Sequence, residues 1–346
     1  MYALSFLVVL GVVVFVHELG HFLAARISGV GVPEFSLGFG PKIWSMQRGE
    51  TLYSIRVLPL GGMCRLAGQD DAEAADKKAS VRNPKSFQNK PIWKRIFIVA
   101  AGPIMNFVLA IVILTVLFGA YGVPMASISH VVPDSPAQRA GFSAGDTILT
   151  VNGKPTAGIG GFVGAISTNW DRPVNVAVLR GGEQVEVTVV PEYDAESQVG
   201  KIGVGLSEAP VKGGVRGTVA EALAYTYGTV NTTVSMLVAA FTGRASADVS
   251  GPIGIAGMSA QAARAGLPSL MMLIALISIS LGLLNLMPVP ILDGGWVLLL
   301  AVEGIKGSPL KPEFEGFLRF VGLALLVLLM VYATVSDISR LLVQRL

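Results

Sequence analysis

Four stretches of the chain, residues 1–25, 96–119, 270–286 and 317–335, are almost wholly apolar. At about 1.5 Å of helix rise per residue each is near the length that crosses a hydrocarbon layer roughly 30 Å thick. The first opens on the uncharged Met1-Tyr2-Ala3 and is interrupted by His17, Glu18 and His21. A removable signal peptide would instead begin with basic residues and end at a small-residue cleavage site. The third run breaks at Met287-Pro288-Val289-Pro290 and resumes from Trp296 to Val302.

The segments between these runs follow other patterns. Leu52 to Val57 predicts a strand, Pro59-Leu60-Gly61-Gly62-Met63 a glycine-rich turn, and the following residues a second strand, making a hairpin. From about Met125 to Pro191 apolar and polar positions alternate. Ala126–Val132, Asp146–Val151 and Val174–Val178 then read as strands of a small soluble domain. Leu223, Tyr227, Val230, Val234, Leu237 and Val238 recur at helical spacing within 220–242, predicting an amphipathic helix suited to a membrane surface.

Composition agrees with membrane residence. Of 346 residues, 52% are hydrophobic and 14% charged, against about a quarter charged in soluble chains. The single cysteine, Cys64, excludes an intrachain disulfide and a thiolate metal cluster. A net charge of +3 without basic runs interleaved with aromatics argues against nucleic acid as a partner. Residues 27–95 hold eleven Lys and Arg against six acids, while 120–266 hold nine against eleven. The positive-inside rule therefore places 27–95 in the cytoplasm and the small β domain outside.

The chemistry concentrates at His17-Glu18-Leu19-Gly20-His21. Two histidines four apart share one helix face and can chelate a single metal ion, and the Glu between them can take a proton from water. His17 lies nine residues, roughly 14 Å, before Arg26, so the metal would sit below the membrane surface. Ionisable groups at such depth face protein-lined or watery cavities and mark function. A hydrolytic zinc needs a third protein ligand. His130 reads as a structural strand histidine and Cys64 as a small buried residue, leaving Asp293 the better candidate. It follows two prolines and precedes Gly294-Gly295, and such irregular backbone at membrane depth lines a cavity.

His17–His21 with Asn285–Gly295 resemble the paired motifs of the site-2 protease family of intramembrane metalloproteases, in its bacterial branch. The likeness extends through Gly38-Phe39-Gly40-Pro41, Leu58–Gly62, Gly102–Phe107 and Gly251–Ile255, nearly the whole chain. It implies zinc held by His17, His21 and Asp293, Glu18 as general base, and Asn285 holding an extended substrate strand. It also implies that the 52–66 hairpin dips into the membrane, where the edge at Gly61, Gly62 and Met63 can pair with an unwound substrate. Asn106, Pro288 and Pro290 are candidate supports of the site. Ala140–Asp146 and Ile148–Gly153 resemble a single bacterial PDZ domain, which either captures chain ends or excludes uncut ectodomains.

These readings make the chain an α-helical polytopic membrane protein with about four transmembrane helices, a membrane-associated β-hairpin and an inserted extracytoplasmic PDZ-like α+β domain. Residues 1–119 form the N-terminal membrane part, 120–195 the PDZ-like domain, 196–266 an amphipathic linker and gate, and 267–346 the C-terminal membrane part. The expected function is zinc-dependent intramembrane proteolysis of single-pass proteins, of the anti-sigma-factor or remnant-signal-peptide kind, in the bacterial inner membrane. A metal-ion transporter would also use His, Asp and broken helices, but has no need of Glu18 or of a PDZ-like domain. A catalytically silent scaffold would not need Glu18 either.

Overall fold

The computed structural model describes residues 2–69, 83–156, 158–194, 199–211, 215–241, 251–308 and 312–343. Residues 1–110 with 236–346 make one compact unit, and residues 111–235 a second.

The first unit is built on helices. They are α1 (Tyr2–Ile27), the first part of α2 (Ile92–Tyr121), and, after residue 236, α6 (Pro252–Ala265), α7 (Leu267–Leu286), α8 (Asp293–Lys306) and α9 (Pro312–Val343). The segments Leu4–Ile27, Ile92–Tyr121, Leu267–Leu286 and Gly316–Asp337 are long and apolar enough to cross a membrane, matching the four apolar runs. Pro103 sits inside α2. Where helices meet, glycine admits the approach: a Cβ at Gly20 of α1 would fall on the carbonyl of Ala101 in α2, and one at Gly102 would fall on the ring of His21. Small residues at such crossings let backbones pack closely, which matters where lipid removes the hydrophobic drive for helix association. Near the chain's entry to α2, Ala24, Ala25, Phe87, Ile98, Val99 and Leu300 form a buried cluster joining α1, α2 and α8. At the far end, Asp337 of α9, 4% exposed, accepts from the backbone N–H groups of Gly251 and Gly254 at the start of α6.

The hairpin differs from the sequence expectation. Its strands are β1 (Glu34–Arg48) and β2 (Thr51–Arg65), and the turn is at Gly49-Glu50. Pro59–Met63 is not a turn but part of β2. The antiparallel pair doubles back on itself. Residues Glu34–Leu37 lie opposite both Leu52–Ile55 and Gly62–Arg65, while Lys42–Arg48 lie opposite Thr51–Arg56. Gly62–Arg65 is thus an edge segment. Arg56 ties the fold of this sheet together, reaching Glu34 at 2.6 Å and the carbonyl of Gly40 at 2.8 Å.

The second unit holds a six-stranded sheet in the order β10-β3-β4-β6-β7, with β5 against β4. The strands are β3 (Val123–Val131), β4 (Thr147–Val151), β5 (Lys154–Pro155), β6 (Val174–Arg180), β7 (Glu183–Val189) and β10 (Val204–Val211), and β8 (Glu192–Asp194) pairs with β9 (Val199–Lys201). Helices α3 (Pro136–Ala140) and α4 (Gly158–Ser167) complete it around Ile128, Ile148, Phe162, Val176 and Val178. Because β10 pairs with β3 along eight residues, the β domain does not end at residue 195, and 196–266 is not one linker: it contributes β10 to this sheet and β9 to the separate pair with β8. That segment also includes α5 (Val215–Phe241) and, in the first unit, α6. A helix, α5, does occupy the stretch expected to be amphipathic; in it Ala222 and Thr226 are buried while Val219, Leu223, Tyr227, Val234 and Val238 are exposed.

Asp146, at the entrance to β4, is buried and takes 2.6 and 2.7 Å hydrogen bonds from Arg180. Burial alone would raise its pKa, but Arg180 and the backbone N–H of Ser143 outweigh it and hold the carboxyl below its usual range. A depressed native pKa contributes stability above the unfolded value near 3.9, lost as pH falls through the native one. Stability of the β domain, read as hydrogen-exchange protection at β4 and β6 in the whole protein, should therefore fall as pH drops below about 4. Arg180→Met, which leaves burial to raise the native pKa of Asp146, should lower protection near neutral pH and remove that acid dependence. A second expectation concerns the helix crossing: Gly20→Leu, which overfills it, should cost at least about 1–3 kcal/mol in thermal unfolding. Gly119→Ala, with open space around it, should change little.

Candidate active site

Helix α1 presents His17 and His21 on one face, and the first residue of α8, Asp293, meets them. His17 Nε2 lies 3.2 Å from Asp293 Oδ2, His21 Nε2 lies 3.6 Å from the same oxygen, and the two Nε2 atoms are 3.3 Å apart. These three side chains are the metal-ligating cluster found among the described residues. With zinc–ligand bonds of about 2.0–2.2 Å, the edge of a tetrahedron is about 3.4 Å, so the donor spacing is that of one face of a zinc site.

The hydrogen bonds on the far side of each ring support a cation. His21 Nδ1 donates to the carbonyl of Ile98 at 2.9 Å, so its Nε2 carries the lone pair in the neutral ring. The Asn106 amide is 3.2 Å from His17 Nδ1, and Asn106 is fully buried with its Oδ1 unpartnered. Which end of a side-chain amide is oxygen is set by the network it joins. Turning Oδ1 toward His17 Nδ1–H satisfies both groups and leaves His17 Nε2 as a second lone pair. Two lone pairs then face the carboxylate oxygen of Asp293, which has no hydrogen-bond partner of its own. Three acceptors at this spacing repel unless a cation lies among them, so the residues fit zinc.

Glu18, between the histidines in sequence, is turned toward the hairpin. Its carboxylate accepts from the backbone N–H of Cys64, and a Cβ at Gly62 would be 2.5 Å from Glu18 Cγ and 3.1 Å from Val14 Cγ1. Glycine is thus required here for clearance, and at Gly61, with φ of 117°, a Cβ would strike the ring of Phe39. Met63 pairs with Ser36 in the same edge segment. Asn285 stands half-buried on the last turns of α7, and Pro288 and Pro290 lie in the break that leads to Asp293. The structure gives Asn285 no hydrogen bond to the three donors. Of the sequence candidates, His17, Glu18, His21, Asp293, Asn106 and Gly62 come together. The carbonyl of Ile98 and the N–H of Cys64 had no signal in the sequence, since any residue type supplies them. His130 is exposed on β3 and lies opposite Gly205.

The family model described as Peptidase family M50 matches residues 5–329. The chain belongs to that family. It is 33% identical to the Regulator of sigma-W protease RasP of Bacillus subtilis, covering 98% of both chains. It is 32% identical to the zinc metalloprotease RasP of Bacillus licheniformis, over 98% of this chain and 99% of that one. The zinc metalloprotease RasP of Oceanobacillus iheyensis is likewise 32% identical, over 97% and 98%. A PDZ domain of an SdrC-like protein from Listeria monocytogenes covers 24% of this chain and 86% of its own at 21% identity. Its TM-score is 0.22, too low to carry an argument about fold. This M50 peptidase is therefore a zinc metalloprotease, and its four apolar helices make it a multi-pass membrane protein.

If Asn106 sets the tautomer of His17, Asn106→Ala should weaken zinc binding by about 10–100-fold. Asn106→Asp, which keeps an acceptor, should weaken it less. Competition with a chelator on the purified protein measures both.

Proposed function

We propose that this peptidase hydrolyses peptide bonds within the membrane spans of single-pass proteins, with His17, His21 and Asp293 holding zinc and Glu18 acting as general base. The observation that carries the reading is the set of three donors at tetrahedral spacing, two on the apolar span of α1 and the third at the start of α8, just past the apolar span of α7. Zinc, when bound, supplies Lewis acidity toward water and toward the scissile carbonyl. Glu18 accepts the proton of the attacking water at its carboxylate and returns it to the leaving amide nitrogen. Asn106 and the Ile98 carbonyl hold the imidazoles in the tautomer that presents Nε2.

A helical span must unwind before its backbone is open to attack. The edge segment Gly62–Arg65, lying against Glu18, offers main-chain groups to which an unwound segment can add as a strand, with Gly61, Gly62 and Met63 at the junction. Asn285 serves to hold the same segment from the α7 side, and Pro288 and Pro290 keep the break open. The charge distribution supports a site toward the cytoplasmic side of a bacterial inner membrane with the β domain outside. There the PDZ-like domain, with the amphipathic α5, acts as a filter or receptor for truncated ectodomains. The sigma-W role in the name of the Bacillus subtilis relative favours anti-sigma factors among the substrates, with remnant signal peptides as the second class.

Glu18→Gln in a reconstituted assay with a single-pass substrate should lower cleavage by about 10²–10⁴-fold while metal content stays near one per chain. Asp293→Ala should lose the metal itself. Equal cleavage by the Glu18 variant would overturn the mechanism.

A further inference from the structure

The ligand set depends on a helix, α8, that contributes its first residue, Asp293. Its N-terminal end is fastened by short turns: Leu292 N–H donates to Val289 and Trp296 N–H to Leu292. Cβ atoms at Gly294 or Gly295 would overlap the carbonyls of Leu286 and Val289. Its other end meets α2. Glu303 Oε1 accepts from Arg95 Nη1 at 2.7 Å across 208 residues of sequence, and the two side chains are only 13% and 12% exposed. The guanidinium also lies 5.1 Å from the ring centroid of Phe87, itself 1% exposed. Arg95 Nε has no hydrogen-bond partner, so its polar hold on the neighbouring helix runs through Nη1 and Glu303.

Arg95 belongs to a row along α2. Arg95, Ile98, Gly102 and Asn106 are spaced at i, i+3, i+7 and i+11, one face of a helix. Each touches a part of the centre: the Ile98 carbonyl accepts a hydrogen bond from His21 Nδ1–H, Gly102 clears the His21 ring, and Asn106 meets His17. Arg95 meets the helix that begins with Asp293. Glu303 is ten residues beyond Asp293, about 15 Å along the axis; between them Leu300 packs in the apolar cluster shared with α1 and α2, a non-directional contact to which the ion pair adds a directional tie at the far end of the helix.

We propose that Arg95 and Glu303 are positioning residues of the metal centre. Their enclosed ion pair fixes the tilt of α8 against α2 and so holds Asp293 at ligand spacing from the two histidines that α2 orients. The proposal rests on the reading that His17, His21 and Asp293 hold zinc.

The test uses the full chain in detergent, loaded with Co²⁺ in place of Zn²⁺. Glu303→Gln and Arg95→Gln should each weaken metal binding by about tenfold, the lower end of what outer contacts to a metal site contribute. They should also shift the visible cobalt bands. Metal-saturated cleavage should fall in kcat with KM unchanged. Arg95→Lys, which keeps the charge, should lie between these variants and the native protein, and the exchanged pair R95E with E303R should recover affinity and spectrum. Unchanged metal affinity and an unchanged cobalt spectrum in Glu303→Gln, even with reduced thermal stability, would overturn the proposal and leave the pair a purely structural tie. Intact metal binding in Asp293→Ala would instead overturn the ligand assignment beneath it, so the two failures are distinguishable.

Discussion

The close crossing of α1 and α2 is the constraint on which the centre depends. Gly20 lets the α2 backbone approach at Ala101, and Gly102 leaves room for the His21 ring. Only at that approach can a main-chain carbonyl and a side-chain amide of α2 reach the outer nitrogens of both imidazoles. In water an apolar stripe would drive such a contact. In lipid it rests on small residues and on polar groups that find partners within the protein. Packing and chemistry therefore share the same few positions: a larger side chain at Gly102 would both part the helices and displace a ligand.

The hairpin shows the same economy in a different form. Its two long strands fold into a sheet in which Glu34–Leu37 is flanked on both sides, leaving Gly62–Arg65 at an edge beside Glu18. An open strand edge is a hazard in a soluble protein because other chains can add to it. Beside Glu18, on the mechanism proposed above, it becomes a means of holding a substrate backbone. Arg56, bound to Glu34 and to the Gly40 carbonyl, fixes the strands that carry this edge.

Much of this was legible in the chain. The apolar runs give the spans because length and lack of charge suffice in a bilayer, and His17 and His21 announce a chelate because helical geometry places residues four apart on one face. Asp293 could be picked out because it interrupts an apolar region. The hairpin turn was misplaced for a physical reason: glycines at 61 and 62 read as turn residues, yet they serve clearance from Phe39 and Glu18, while the turn needs only Gly49 and Glu50. Beyond residue 195, β9 has only three residues, and the alternation of β10 is broken by Gly205 and Pro210, so neither registers as a strand. Asn106 could be read equally as packing, and nothing local links Arg95 to Glu303, since 208 residues separate them and each looks like an ordinary flanking charge.

That long separation in the donor set bears on how the protein is made. His17 and His21 enter the membrane with the first span, but Asp293 follows the third, 272 residues after His21. Until ribosome and insertion machinery have delivered α7 and the break behind it, the two histidines have no third partner. A nascent chain thus carries two of the three donors through most of its synthesis, and the set is completed only with the placement of the third span.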